Sequence, residues 1–173
     1  MQLEPWKAQY GQVLGRYKFL VLLGASCTGK SSLARSLGKS PFVQTVQNAT
    51  SLDLRDYSAE RHDVIVLDNI NDQQFVLDNR AVLQSNNDIH TLAESKTGIY
   101  SYSIWLWKVP IVMTVDDRAK WNSDDRWVKE NCFEIKLVGP SWVPGPRGTP
   151  QRPPPMGHHD AEGDIDIPDL PFW

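Results

Sequence analysis

Cysteine is scarce in this chain: of 173 residues only Cys27 and Cys132 carry a thiol. Neither stands at a spacing that suits a metal cluster or a disulfide framework. That pattern points to a reducing, intracellular compartment, cytoplasm or nucleus. No run of 18 apolar residues and no signal-peptide pattern occurs, so no membrane partner is expected. An excess of basic charge is missing too. The chain sets 18 Lys and Arg against 21 Asp and Glu, a net charge of −3. Residues 1–138 balance at 16 against 16, which argues against a strongly basic nucleic-acid face while leaving room for a local groove or loop. Proline is rare there as well, at Pro5, Pro41 and Pro110 only.

The other nine prolines fall in 139–173, with five of the eleven glycines and a local charge of −3. Such a stretch lacks the apolar surface needed to offset its ordering entropy, so 139–173 is expected to be a disordered, Pro-rich acidic tail. Its last residues, Pro168 to Trp173, suit a short binding peptide or a terminus with no role. Residues 1–16 read as a lead-in segment and 17–138 as one domain, long enough to bury a core.

Within that domain Gly24-Ala25-Ser26-Cys27-Thr28-Gly29-Lys30-Ser31 spells G-x-x-x-x-G-K-[ST]. The apolar run 19–23 before it reads as a buried strand, and 31–37 after it as a helix stopped by Gly38. In such a strand–loop–helix unit, backbone N–H groups from Gly24 to Ser32 close around phosphate oxygens at the start of the helix. Lys30 would reach the β- and γ-phosphates and the Ser31 hydroxyl would hold Mg²⁺. The expected cofactors are therefore ATP and Mg²⁺. An ordinary Gly-rich turn is the plainer alternative.

Further strands are expected at 42–46, at 63–68 (apolar on both faces, as in a central parallel strand), at 109–115 and at 132–138. Helical patterns cover 73–84 and 127–130. Residues 89–102 hold two β-prone runs around Lys96-Thr97-Gly98, a hairpin signal. Strands alternating with helices give an α/β, three-layer P-loop NTPase fold with a mainly parallel central sheet, a β-hairpin insert and the tail. Asp68 ends its apolar strand 38 residues after Lys30, a position from which a carboxylate can hold Mg²⁺ directly or through water. A strand-ending Asp with no phosphate loop upstream more often caps a turn.

These residues carry a resemblance. "FLVLLGASCTGKSSLARSL", "HDVIVLDN", "IHTLAESKTGIYSYSIWLWKVPIVMTV" and "RWVKENCFEIKL" resemble in order the motifs of the superfamily 3 helicase domain. That domain, of the AAA+ class, occurs in the replication-initiator (Rep) proteins of small circular single-stranded DNA viruses. The resemblance runs from Phe19 to about Val138 and implies an ATP site shared between subunits of a homo-oligomeric ring. It also implies a hairpin lysine, here Lys96, touching single-stranded DNA or RNA. No nuclease half accompanies it, and His158-His159 falls in the tail.

Two positions depart from the pattern. Most such ATPases have a second acid after the metal-holding Asp, and here that residue is Asn69, whose amide cannot accept a proton from water. The sensor Asn of the third motif is replaced by Asp116, a carboxylate facing the γ-phosphate, which repels it unless it holds the metal or is protonated. Both changes weaken hydrolysis more than binding. Lys30, Asp68, Asn69 and Asp116 are thus the candidate catalytic positions. Arg118 and Arg126 are arginine-finger candidates or solvated charges. Tyr100 and Tyr102 suit base stacking or sheet packing. Trp105 and Trp107 suit core packing or a subunit contact. Three functions stay open: a helicase-like ATPase, a nucleotide-binding scaffold that has lost hydrolysis, and a small-molecule kinase. No Arg-rich lid speaks for the kinase.

Overall fold

A computed structural model describes residues 3–46, 51–93 and 101–139. The segment that carries G-x-x-x-x-G-K-[ST] forms strand β1 (Phe19–Gly24) and helix α2 (Lys30–Ser36), preceded by a short helix α1 (Glu4–Ala8). Strand β2 (Pro41–Thr45) and the long strand β3 (Val64–Asp72) follow, then helices α3 (Gln73–Asp78) and α4 (Arg80–Leu83). Strands β4 (Ile89–Ala93) and β5 (Ser101–Trp105) come next, then β6 (Ile111–Lys120), helix α5 (Arg126–Asn131) and β7 (Cys132–Leu137).

Five strands form one parallel sheet in the order β2-β3-β6-β1-β7. From β1 the chain runs to the far edge at β2, works back through β3 and β6, and then crosses to β7 on the other side of β1. The order therefore reverses at β1. In open parallel sheets the crevice beyond the carboxyl end of that strand is the natural ligand site.

Burial explains why these runs form central strands. Phe19, Val21, Leu23, Ile65, Leu67, Ile111 and Met113 pack on one face of the sheet, with Val82, Leu83, Leu106 and Val128 laid over them. Leu20, Leu22, Val64, Val66 and Val112 point to the other face, where Trp6 and Ala34 cover them. Both faces are buried, so the strands read as unbroken apolar runs and not as alternating ones. The fold is α/β with a parallel five-stranded sheet, as expected from the sequence. Among the described residues no helix is long and apolar enough to cross a membrane.

Three elements differ from the sequence reading. The 73–84 segment is two short helices: Asn79 (φ −101°, ψ 11°) breaks it, and its amide Nδ2 donates to the Phe75 carbonyl at 2.7 Å. A side chain that bonds its own backbone competes with the helix ladder. Residues read as a lead-in are built into the fold: Trp6 is buried under β1, and the Gln9 side chain donates to the Lys18 carbonyl while accepting from its N–H. That amide imitates a neighbouring strand at the start of β1. Strand β3 continues past Asp68 through a bulge at Asn69.

The hairpin forms as expected, antiparallel, with Ile89 opposite Trp105 and Leu92 opposite Tyr102. The turn expected at Lys96-Thr97-Gly98 and the residue Tyr100 fall outside the described residues, as do 140–173 with His158 and His159. Tyr102 packs partly buried against the core, and its hydroxyl accepts the Leu54 N–H at 2.6 Å. Trp105 is half exposed and stacks on Trp107, with ring centroids 5.9 Å apart.

The entry to β3 is held by Asp63, whose carboxylate accepts the N–H groups of Lys39 (2.6 Å) and Ser40 (3.0 Å). The Lys39 N–H above all keeps its carboxyl below the ordinary Asp range. A depressed folded-state pKa means stabilisation that is present above about pH 4 and is lost as pH falls through the folded value. The expected result is an acid-side decline in melting temperature, measured by circular dichroism below about pH 4. In Asp63→Asn that part of the decline should be absent. An identical acid profile in the variant rules out this role.

Candidate functional site

At the carboxyl end of β1, Gly24 turns into the loop against its neighbour strand. A Cβ on Gly24 would stand 2.7 Å from the Leu137 carbonyl oxygen of β7, so a side chain does not fit without moving the sheet. Gly29 has φ +85°, the left-handed region that glycine enters at no steric cost, and it starts α2. Cys27 has φ +63° as a non-glycine residue, a conformation that costs roughly 1–2 kcal/mol. The Thr28 hydroxyl donates to the Ala25 carbonyl at 2.9 Å and pins the loop internally.

A cleft of about 360 Å³ opens at this loop, lined by residues 26–32 together with Thr45, Asp68, Asn69, Thr114 and Asp116. Ser26, Cys27, Thr28, Gly29, Lys30, Ser31, Ser32, Asp68, Asn69 and Asp116, singled out in the sequence as far apart as 26 and 116, thus share one cavity. Gly24 and Ala25 do not line it and are tied to it through Lys30, whose Nζ donates to their carbonyls at 2.7 and 2.6 Å. The same ammonium lies 3.7 Å from Asp116 Oδ2.

Asp68, which lines the cleft, is 7% exposed. Its Oδ1 accepts from the Ser31 hydroxyl at 2.7 Å and from the Thr114 hydroxyl at 2.7 Å. Oδ2 meets the Arg35 guanidinium at 3.3 Å. Thr114 Oγ1 in turn accepts the Asn69 N–H at 2.8 Å. The chain Asn69–Thr114–Asp68 fixes the bulge where Leu67 pairs with Met113 but Ile70 pairs with Val115. One extra residue of β3 is absorbed there, and Asn69 takes the left-handed conformation (φ +66°) that Asn tolerates better than most.

Thr114 and Arg35 escaped sequence reading. Their signals were present: Thr114 is the one polar residue inside the apolar run 111–115, and Arg35 is four residues after Ser31, on the same face of α2. Asp116 lies beside Gly24 in the β1–β6 register. The Arg118 N–H and, further down, the Lys30 ammonium hold its carboxyl below the ordinary Asp range. At neutral pH Asp116 therefore carries its charge beside Lys30. Arg126 pairs with Glu130 on α5 at 2.9 Å.

The donor set bears on the metal. Ser31 Oγ and the Asp68 carboxylate are hard oxygens within 2.7 Å of one another. Among the described residues no group of three or more His, Cys, Asp or Glu side chains gathers to hold an ion. Mg²⁺ takes few protein ligands and completes its shell with water and substrate phosphate, so a hydroxyl with one carboxylate fits it, whereas a caged Zn²⁺ does not. Compared with known proteins, the chain matches no family model and no curated relative.

Proposed function

We propose that this cleft binds the phosphates of ATP together with Mg²⁺, and that the chain is a superfamily 3 helicase-like P-loop NTPase with weakened hydrolysis. The observation that carries the reading is the meeting of Lys30, Ser31 and Asp68 around one cavity behind a glycine-hinged loop. Lys30 exchanges its bonds to the Gly24 and Ala25 carbonyls for β- and γ-phosphate oxygens. Ser31 and Asp68 would hold Mg²⁺, which when bound neutralises phosphate charge. Thr114 keeps Asp68 oriented by donating to it, and Arg35 balances its second oxygen.

Hydrolysis needs a proton acceptor for the attacking water, and Asn69 offers only an amide at that position. The ionised Asp116 competes with phosphate for Lys30. Those two residues favour a second reading of the same site, a nucleotide-binding scaffold in which hydrolysis has been lost. Both readings share the binding step.

Calorimetric titration of ATP with Mg²⁺ tests it. Lys30→Ala should weaken binding at least tenfold, about 1.4 kcal/mol. Equal affinity in variant and parent refutes the phosphate-loop assignment. The helicase-like reading adds ATP-dependent binding of single-stranded DNA or RNA through Lys96 in an assembled ring. Anisotropy of a labelled oligonucleotide at low salt should rise only with a non-hydrolysable ATP analogue. Lys96→Ala should lower the salt slope by about 0.7 for each phosphate it no longer neutralises. No binding in either state leaves the scaffold.

A further inference from the structure

The two oxygens of Asp68 are unequally engaged. Oδ1 accepts two hydroxyl hydrogens, from Ser31 and Thr114, both at 2.7 Å, so both of its lone pairs are in use. Among the described residues the partner of Oδ2 is the Arg35 guanidinium, at the longer distance of 3.3 Å. The two ends of that ion pair also differ in burial: the Asp68 side chain is buried, whereas that of Arg35 is 53% exposed. The carboxylate is a fixed, buried charge that needs a cation, and the arginine is a solvated one that leaves at small cost. Arg35 stands four residues after Ser31, one helical turn on, so α2 brings the hydroxyl and the guanidinium to the same carboxylate.

Resting on the reading of this cleft as a Mg²⁺–nucleotide site, we propose that Arg35 is the resident counter-cation of Asp68, which yields Oδ2 to the metal and so sets the Mg²⁺ concentration at which the site fills. A buried carboxylate left without a partner is costly, so Arg35 stabilises the fold whenever no divalent ion is bound. The same contact opposes metal, because the guanidinium must first turn out to solvent. It also selects among ions. A monovalent cation gains no charge by taking the place of a guanidinium, while a divalent one does. Arg35 therefore holds Na⁺ and K⁺ off the carboxylate and gives way to Mg²⁺. It acts through Asp68 and is a positioning residue.

The test follows the Mg²⁺ dependence of ATP binding by calorimetry, with thermal melting as a second readout. Arg35→Gln should lower the Mg²⁺ concentration for half-maximal ATP affinity about fivefold, in line with removal of one partly solvated ion pair. Arg35→Lys keeps the charge and should fall between the two. With EDTA present, Arg35→Gln should melt roughly 4 °C below the parent, and the gap should close with Mg²⁺ and ATP bound. Asp68→Asn separates direct displacement from a general effect of charge: in that background Arg35→Gln should leave the Mg²⁺ dependence unchanged. An unchanged Mg²⁺ dependence in Arg35→Gln, or an equal shift in the Asp68→Asn background, overturns the displacement and leaves ATP binding standing. A melting gap of the same size with and without ligand also overturns it, since a purely structural contact behaves so. Failure of the parent to bind ATP overturns the phosphate-loop reading beneath it.

Discussion

In a steady-state assay, the double variant Asn69→Asp/Asp116→Asn should turn over ATP about 10²-fold faster than the parent, the low end of what a general base contributes. Asp at 69 restores a proton acceptor beside Asp68. It is chosen over Glu because residue 69 sits at φ +66°, where a short Asx side chain is accommodated best. Asn at 116 removes the anion lying 3.7 Å from Lys30. That pair is partly solvated, so after screening it is worth about 1 kcal/mol, and its removal should tighten ATP roughly fivefold. The parent should remain below about 1 s⁻¹, the low end of ordinary enzymes. A parent already at that rate contradicts the weakened-hydrolysis argument, and an unchanged double variant removes Asn69 from the reacting centre.

Thr114→Val should be the most damaging conservative change at the site. The side chains match in volume, but one buried hydroxyl serves two partners: it donates to Asp68 and accepts the Asn69 N–H. Its loss leaves a buried carboxylate short of a donor and a backbone N–H without an acceptor, together about 3 kcal/mol. For a domain of this size that is a fall in melting temperature of roughly 10 °C. Thr114→Ser keeps the hydroxyl and should lose under half as much, chiefly the buried methyl. Equal melting temperatures for Thr114→Val and the parent would show that the hydroxyl carries no stability. Calorimetry on Thr114→Val, well below its melting temperature, should also show weaker dependence of ATP binding on Mg²⁺, because Asp68 loses one of the three partners that orient it.

The strands were legible because burial on both faces writes itself into sequence as unbroken apolar runs, as in 19–23, 64–67 and 111–115. The loop was legible because Gly24 meets the next strand too closely for a side chain and Gly29 takes a left-handed backbone, so glycine stands at both ends of the turn before Lys30 opens α2. Distance along the chain hides the rest. Thr114 meets Asp68 across 46 residues and Tyr102 meets Leu54 across 48, and no local pattern encodes such pairs. The N-terminal helix was missed because five residues are too few for periodicity to register, and only the buried Trp6 betrays it. The break at Asn79 follows from a side-chain bond that competes with helix propensity, a contest that composition alone does not decide.

The bulge at Asn69 makes spacing as important as identity. Residue 69 is the surplus position that lets Asp68 look into the cleft while Ile70, fully buried, returns to the core opposite Val115. A substitution there leaves that phase intact. Deleting the residue would advance all that follows by one place and turn Ile70 outward, since neighbouring strand residues face opposite sides. At residue 69 the fold therefore tolerates a change of letter and resists a change of length.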